Sequence, residues 1–193
     1  MDLSLQLYSR IQNVFDGKVF IHGGSASYFH ILSKLNISVE LKDIDFSIIL
    51  EDVDLKDDEQ VEDYNSKCGE QYELLRKTTE DFCLENNCSY EFKQEEGFYT
   101  EDIIFIGYIV LRKNGREYIP LNYFTGEDIE KFNIEKISYN GLSLNVLNLE
   151  KTKENERDNV RDFKVETHDL EEREKLREKL PRKIVIQNLL NMI

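Results

Sequence analysis

At 193 residues the chain has the length of one domain, and its 40% hydrophobic and 33% charged content describes a polar globular protein with enough apolar surface for a core. With 39 acids against 25 bases the net charge is −14, which argues against extensive nucleic-acid binding and leaves room only for a local basic patch. No apolar run approaches the length of a membrane span, and Met1 to Gln12 lacks the basic-then-apolar order of a secretory leader. No membrane association and a cytoplasmic location are therefore expected. The three cysteines, Cys68, Cys83 and Cys88, read as free thiols of a reducing compartment.

Leu3, Leu5, Leu7, Ile11 and Val14 predict a first helix, and Asp16-Gly17 a turn after it. Val19, Phe20 and Ile21 form a short buried strand that runs into Gly23 and Gly24. Ser25 is the expected N-cap of a helix carrying Tyr28, Phe29, Ile31, Leu32 and Leu35. Residues 43–48 then alternate polar and apolar, as a half-buried strand does. Asp43 and Asp45 fall on one face of it, about 7 Å apart by the rise per residue. Two bare carboxylates so placed repel each other, and a cation between them is the usual remedy.

Six of the nine residues at 51–59 are acids: Glu51, Asp52, Asp54, Asp57, Asp58 and Glu59. They read as a solvated loop. Residues 60–86 carry Tyr64, Cys68, Tyr72, Leu75, Thr79, Phe82 and Cys83 at a period near 3.6, which predicts the longest helix, with both cysteines in the core. Strands are expected at 89–94 and at 102–112, with Asn114-Gly115 turning the second into an antiparallel partner at 117–124. A short strand at 141–147 leads to a helix at Leu149, on which Arg157, Arg161 and Lys164 share a face. A charged helix at 168–180 is expected to be broken by Pro181, with a final helix at 182–193. The sum is α+β: a mixed sheet with helices packed on one side. Residues 1–150 form the main domain, and residues 151–193 a helical extension packing on it.

Gly23-Gly24-Ser25 after a strand, followed by Asp43-Ile44-Asp45 on the next strand, resembles the nucleotidyltransferase superfamily of the DNA polymerase beta type. It also resembles the polymerase-type members of large DNA viruses, and the single alanine, Ala26, agrees with an AT-rich genome. The resemblance implies Asp43 and Asp45 as catalytic ligands of Mg²⁺ or Mn²⁺. It implies Gly23, Gly24 and Ser25 against nucleotide phosphates, with Arg157, Arg161 and Lys164 as further phosphate-binding bases. It implies an NTP substrate, an RNA, protein or small-molecule acceptor, and, for a viral member, a location in host cytoplasm or virion. A third carboxylate is expected on the returning strand of the hairpin, where this sequence has Pro120 or Asn122. That departure supports an alternative expectation: a catalytically inactive subunit or scaffold acting with a protein partner. His22, before the glycines, reads as a structural strand-end residue.

Overall fold

The computed structural model describes residues 2–50, 58–95, 106–128, 133–162 and 170–193. The elements are α1 (Leu3–Val14), β1 (Val19–Ile21), α2 (Gly23–Leu35), β2 (Ile44–Leu50), α3 (Asp58–Asn86), β3 (Ser89–Glu95), β4 (Ile106–Lys113), β5 (Arg116–Glu117), β6 (Leu121–Asp128), β7 (Ile134–Tyr139), β8 (Leu142–Leu147), α4 (Leu149–Asp162) and α5 (Leu170–Asn191). Of the segments read from sequence, residues 51–57, 102–105 and 163–169 lie outside the described residues.

The strands make one mixed sheet in the order β3-β4-β6-β2-β1-β8-β7, with β5 beside β4. Asn114-Gly115 turns β4 into β5 with φ of +54° and +74°, the two left-handed residues that a tight hairpin needs. Asn140-Gly141 does the same between β7 and β8, with φ of +50° and +82°. The chain leaves β5 for three residues and rejoins β4 antiparallel as β6, where Ile109 pairs with Leu121. On its other edge β6 runs parallel to β2, and β2 runs antiparallel to β1. The two central strands are thereby fixed against the returning strand of the hairpin, a long-range register that no local signal specifies.

Phe46 of β2 and Tyr123 of β6 are register partners and share a face. The Tyr8 ring of α1 packs against Phe46 at 5.7 Å, and Tyr72 of α3 against Tyr123 at 6.3 Å. These helices therefore cover that face, and Tyr8, Phe46 and Tyr123 are fully buried there. The Tyr8 hydroxyl donates to the Asn145 carbonyl at 2.8 Å, so its burial leaves no orphaned polar group. Helix α2 is enclosed from two directions. Phe29 meets Tyr139 of β7 at 5.5 Å, while Ile31 packs with Ile186 and Leu190 of α5. Asp45 and Asn122, each one residue from the Phe46–Tyr123 pair, project from the opposite face of the sheet.

Pro181 does not end a helix. Helix α5 runs through it from Leu170 to Asn191. An internal proline removes one backbone rung and costs about 3 kcal/mol. Ile186 and Leu190, 2% and 1% exposed, offset this by burying their side chains against Ile31. Cys68 and Cys83 are buried, Cys88 is half-buried, and none of the three forms a disulfide. Burial pushes the Cys83 thiol up to about 12, so it behaves as an apolar core group at neutral pH.

Candidate active site

The site begins where β1 hands over to α2. The His22 N–H donates to the Asp45 carbonyl at 3.0 Å, and the His22 carbonyl accepts from the Ala26 N–H at 3.1 Å. His22, not Ser25, is therefore the N-cap of α2. The helix starts early because Gly23 adopts φ +59°, which lets the chain turn into the first helical residue at once. Gly23 also lies close against Asp45. A Cβ there would sit 3.0 Å from Asp45 Oδ2. The N–H groups of the first turn have no intrahelical acceptor, so this end of α2 is electropositive beside a carboxylate. Nothing stands within 4 Å of a Cβ built on Gly24.

Ser25 is 1% exposed, and its hydroxyl is committed to the backbone. It donates to the His22 carbonyl at 2.8 Å and accepts the Asp45 N–H at 2.9 Å. It is a strut that holds β2 against the start of α2. The His22 ring packs on Phe124 at 5.0 Å and Phe20 at 5.9 Å, and burial lowers its pKa to about 4. It stays neutral at physiological pH, and its Nε2 has no partner.

Asp43, just before β2, and Asp45, in it, both have pKa values above the usual carboxylate value. Burial is the main cause for each, and Asp43 is raised further by the charge of Asp45. The parallel register places Asn122 directly beside Asp45, and its amide Nδ2 donates to Asp45 Oδ1 at 2.8 Å. Of the two residues read from sequence at the place of a third acid, Asn122 is the one at the site. Pro120 precedes β6 and contributes only its carbonyl, which accepts the Ile44 N–H at 2.9 Å.

The donor set suits a hard divalent cation. Two carboxylates destabilised by burial and mutual repulsion gain from a shared cation, and magnesium is content with few carboxylates when water and phosphate complete its shell. Among the described residues no group of three His, Cys, Asp or Glu side chains lies together. Asp43 and Asp45 would hold the ion, with Asn122 supplying an amide in place of a third charge.

The positive charges that act on the pair come from α5. Arg182, Lys183 and Lys179 pull the Asp43 pKa down, and Lys183 does the same for Asp45. Arg182 donates to the Glu40 carbonyl at 2.6 Å, in the segment that leads to Asp43. Lys183 is held by Glu156 of α4, 3.1 Å from each carboxylate oxygen. Of the bases read from sequence, Arg157 is exposed and donates to the Lys153 carbonyl of its own helix at 3.3 Å. The side chain of Arg161, and Lys164 as a whole, lie outside the described residues.

No family model matches the sequence, and no curated protein matches it. Solved structures do. One is the crystal structure of an antigenic nucleotidyltransferase-like protein from Paracoccidioides brasiliensis, with a TM-score of 0.51 and 14% sequence identity, covering 98% of this chain and 75% of that one. The fold is nucleotidyltransferase-like. Within this fold Gly23 lies against Asp45, and Asn122 of the returning strand donates to Asp45. Among the described residues, no helix is long and apolar enough to cross a membrane.

Sequence reasoning missed the α5 bases and Glu156. Glu156 sits in a run, Lys151 to Arg161, where nearly every residue is polar or charged. Its burial to 1% exposure depends on Ser27 and Lys183, which are remote in sequence. Pro181 also argued for separating Arg182 and Lys183 from the helix that carries Lys179. The only local hint was the basic cluster Arg182-Lys183 itself.

Proposed function

We propose that the protein binds a nucleoside triphosphate as its magnesium or manganese complex, at Gly23, Gly24, Asp43 and Asp45, and transfers the nucleotide to an acceptor hydroxyl, the α–β phosphoanhydride bond breaking and pyrophosphate leaving as the new phosphoester forms. The observation that carries this reading is the contact of Asp45 with the Gly23 turn: a carboxylate aimed at a helix start, with a second carboxylate beside it. The first-turn amides of α2 suit phosphate oxygens, and the glycines let the backbone approach them. The bound cation would neutralise phosphate charge and lower the pKa of the attacking hydroxyl. Ser25 and Asn122 act by orienting Asp45 through its N–H and Oδ1. The net charge of −14 favours a small-molecule or protein acceptor over a long polynucleotide, unless a partner subunit supplies a basic groove.

A second reading is carried by Asn122. An amide that donates to Asp45 Oδ1 takes up one oxygen of the pair and adds no charge for a second cation. On that reading the protein binds the metal–nucleotide without turnover and serves as a subunit or scaffold. The test is incubation with each labelled NTP, Mg²⁺ or Mn²⁺ and a panel of acceptors, beside the Asp43→Ala/Asp45→Ala double variant. Transfer by the wild type that is lost in the double variant supports the enzyme. NTP-dependent thermal stabilisation without transfer supports the scaffold, and Asn122→Asp should then raise divalent-ion affinity. Transfer that persists in the double variant sinks the assignment of this site.

A further inference from the structure

The end of α3 brings two cysteines together. Asn87 adopts φ +49°, the left-handed turn that commonly ends a helix. Across that turn the Cys88 N–H donates to the Cys83 carbonyl at 3.0 Å, and the Asn87 N–H to the Leu84 carbonyl at 3.4 Å. In a helix end of this kind the two residues joined by the outer bond also meet through their side chains. Here both are cysteines. Cys83 belongs to the apolar core, Cys88 packs against that core, and the two thiols hydrogen-bond each other. The turn is fastened from two sides. Asn86 Nδ2 donates to the Phe82 carbonyl at 2.8 Å, and Lys113 Nζ of β4 donates to the Asn86 carbonyl at 2.6 Å. The sulfurs are thus held in contact by a fixed backbone, and a disulfide can close with little backbone movement. Access to the two differs. Cys83 is 3% exposed, whereas Cys88 is half-buried and open to a small reagent.

We propose that Cys83 and Cys88 form a site of reversible oxidation, at which a hydroperoxide converts the thiol pair into an intramolecular disulfide. The site is separate from Asp43 and Asp45 and does not rest on their reading. The Cys88 sulfur gives up its proton and attacks one peroxide oxygen. The O–O bond breaks, the leaving oxygen takes up a proton as water or alcohol, and Cys88 becomes a sulfenic acid. The Cys83 sulfur then attacks the Cys88 sulfur. The S–S bond forms, the S–O bond breaks, and the hydroxyl leaves with the Cys83 proton as water. The two sulfurs together lose two electrons, and the peroxide gains them. Burial holds Cys83 as a thiol, so it does not start the reaction. Its fixed contact lets it finish the reaction before a second peroxide arrives. A thiol reductant reverses the change by exchange. The disulfide ties the last turn of α3 to the start of edge strand β3, next to the packing of Tyr72 on Phe92 at 5.5 Å. The loop it closes is short, so the gain in stability is modest.

The test uses the full chain in native buffer with hydrogen peroxide as the probe, followed by alkylation, digestion with trypsin and mass spectrometry. No Lys or Arg stands between Thr78 and Lys93, so both cysteines fall in one peptide, apart from Cys68. That peptide should lose two hydrogens and resist alkylation, and dithiothreitol should restore it. The oxidised protein should melt a few degrees higher than the reduced one. Cys88→Ser should leave Cys83 reduced under the same exposure. Cys83→Ala, which keeps a small apolar group in the core, should raise dimedone capture of sulfenic acid at Cys88 several-fold over wild type and abolish the rise in Tm. Three results each overturn the inference: Cys88 passing to sulfinic acid while Cys83 stays reduced, a disulfide between two chains as the main product, or a Cys83–Cys88 bond that forms only in urea. All three are read on wild type, so they stand even if a variant fails to fold.

Discussion

Helices α4 and α5 are both dense in charge, and each carries a basic cluster, but they use it differently. On α4, Arg157 is exposed and bonds back to its own helix at Lys153, and Lys151 pairs with Glu154 one turn away. On α5, Arg182 reaches across to the Glu40 carbonyl and Lys183 to a buried acid on another helix. Only the second kind of contact fixes a charge in space. A helical spacing of three or four tells which residues share a face; it does not tell where that face looks. The direction is set by Ile186 and Leu190, which turn α5 onto Ile31 and so bring Lys179, Arg182 and Lys183 toward Asp43.

The largest expected effect comes from removing the anchor itself. Glu156→Leu strands the Lys183 ammonium and the Ser27 hydroxyl, and should cost about 2–4 kcal/mol in urea denaturation, below a fully buried pair because Lys183 is part-solvated. A loss under about 0.5 kcal/mol, the size of an ordinary surface change, would put Glu156 in the same class as Arg157 and erase the contrast.

The comparison also bears on a half-buried ring, His22, whose Nε2 has no partner. The His22 pKa falls from 6.5 to about 4 through burial. The unfolded chain therefore binds a proton between those two pH values that the folded chain does not, and stability from this group is lost as pH falls through that window. His22→Phe should remove that slope, worth about 2–3 kcal/mol over the window. The check is the difference in stability between wild type and variant at pH 7 and at pH 4. An unchanged difference would mean that the ring is solvated.

For Asp43 and Asp45 the sign is reversed. Their folded pKa values are raised, so their favourable contribution is present at low pH and is lost as pH rises through the folded value. At neutral pH, without divalent ions, the ionised pair opposes folding. Asp43→Asn should then raise Tm by about 2–4 °C, the shift that roughly 1 kcal/mol produces in a domain of this size. The gain should grow in a Lys183→Met background and stay the same in an Arg157→Ala background, as read by differential scanning calorimetry.

The sheet and most of its connections were legible because periodicity and turn chemistry are local. Val19 to Ile21, the alternation at 43–48, and Asn114-Gly115 each announce themselves within a few residues. Gly23-Gly24 and Asp43-Ile44-Asp45 were legible as neighbours because the strands that carry them, β1 and β2, follow one another in the chain and pair in the sheet. Choosing Asn122 over Pro120 needed the parallel β2–β6 register, which pairs residues 77 positions apart. Ser25 was misread as a cap because Gly23, which can adopt a positive φ, shifts the helix start by three residues. Pro181 was misread because local propensity cannot weigh a lost rung against the burial of Ile186 and Leu190.

The smallest expected effect is the sharpest test of how helix faces are assigned. Arg157→Ala removes an exposed guanidinium whose hydrogen bond goes to its own helix. Stability should move by no more than about 0.5 kcal/mol. Affinity for Mg²⁺ with a non-hydrolysable ATP analogue should stay within about twofold, because the Arg157 guanidinium is exposed and turned back to the Lys153 carbonyl. Arg182→Ala, by contrast, removes a charge that acts on Asp43 and frees the segment at Glu40, and should weaken the same affinity several-fold. If Arg157→Ala matched Arg182→Ala, phosphate would have to lie between α4 and α5. The bases of both helices would then form one cradle, and the self-bonded geometry of Arg157 would be a resting state of a side chain that turns toward ligand.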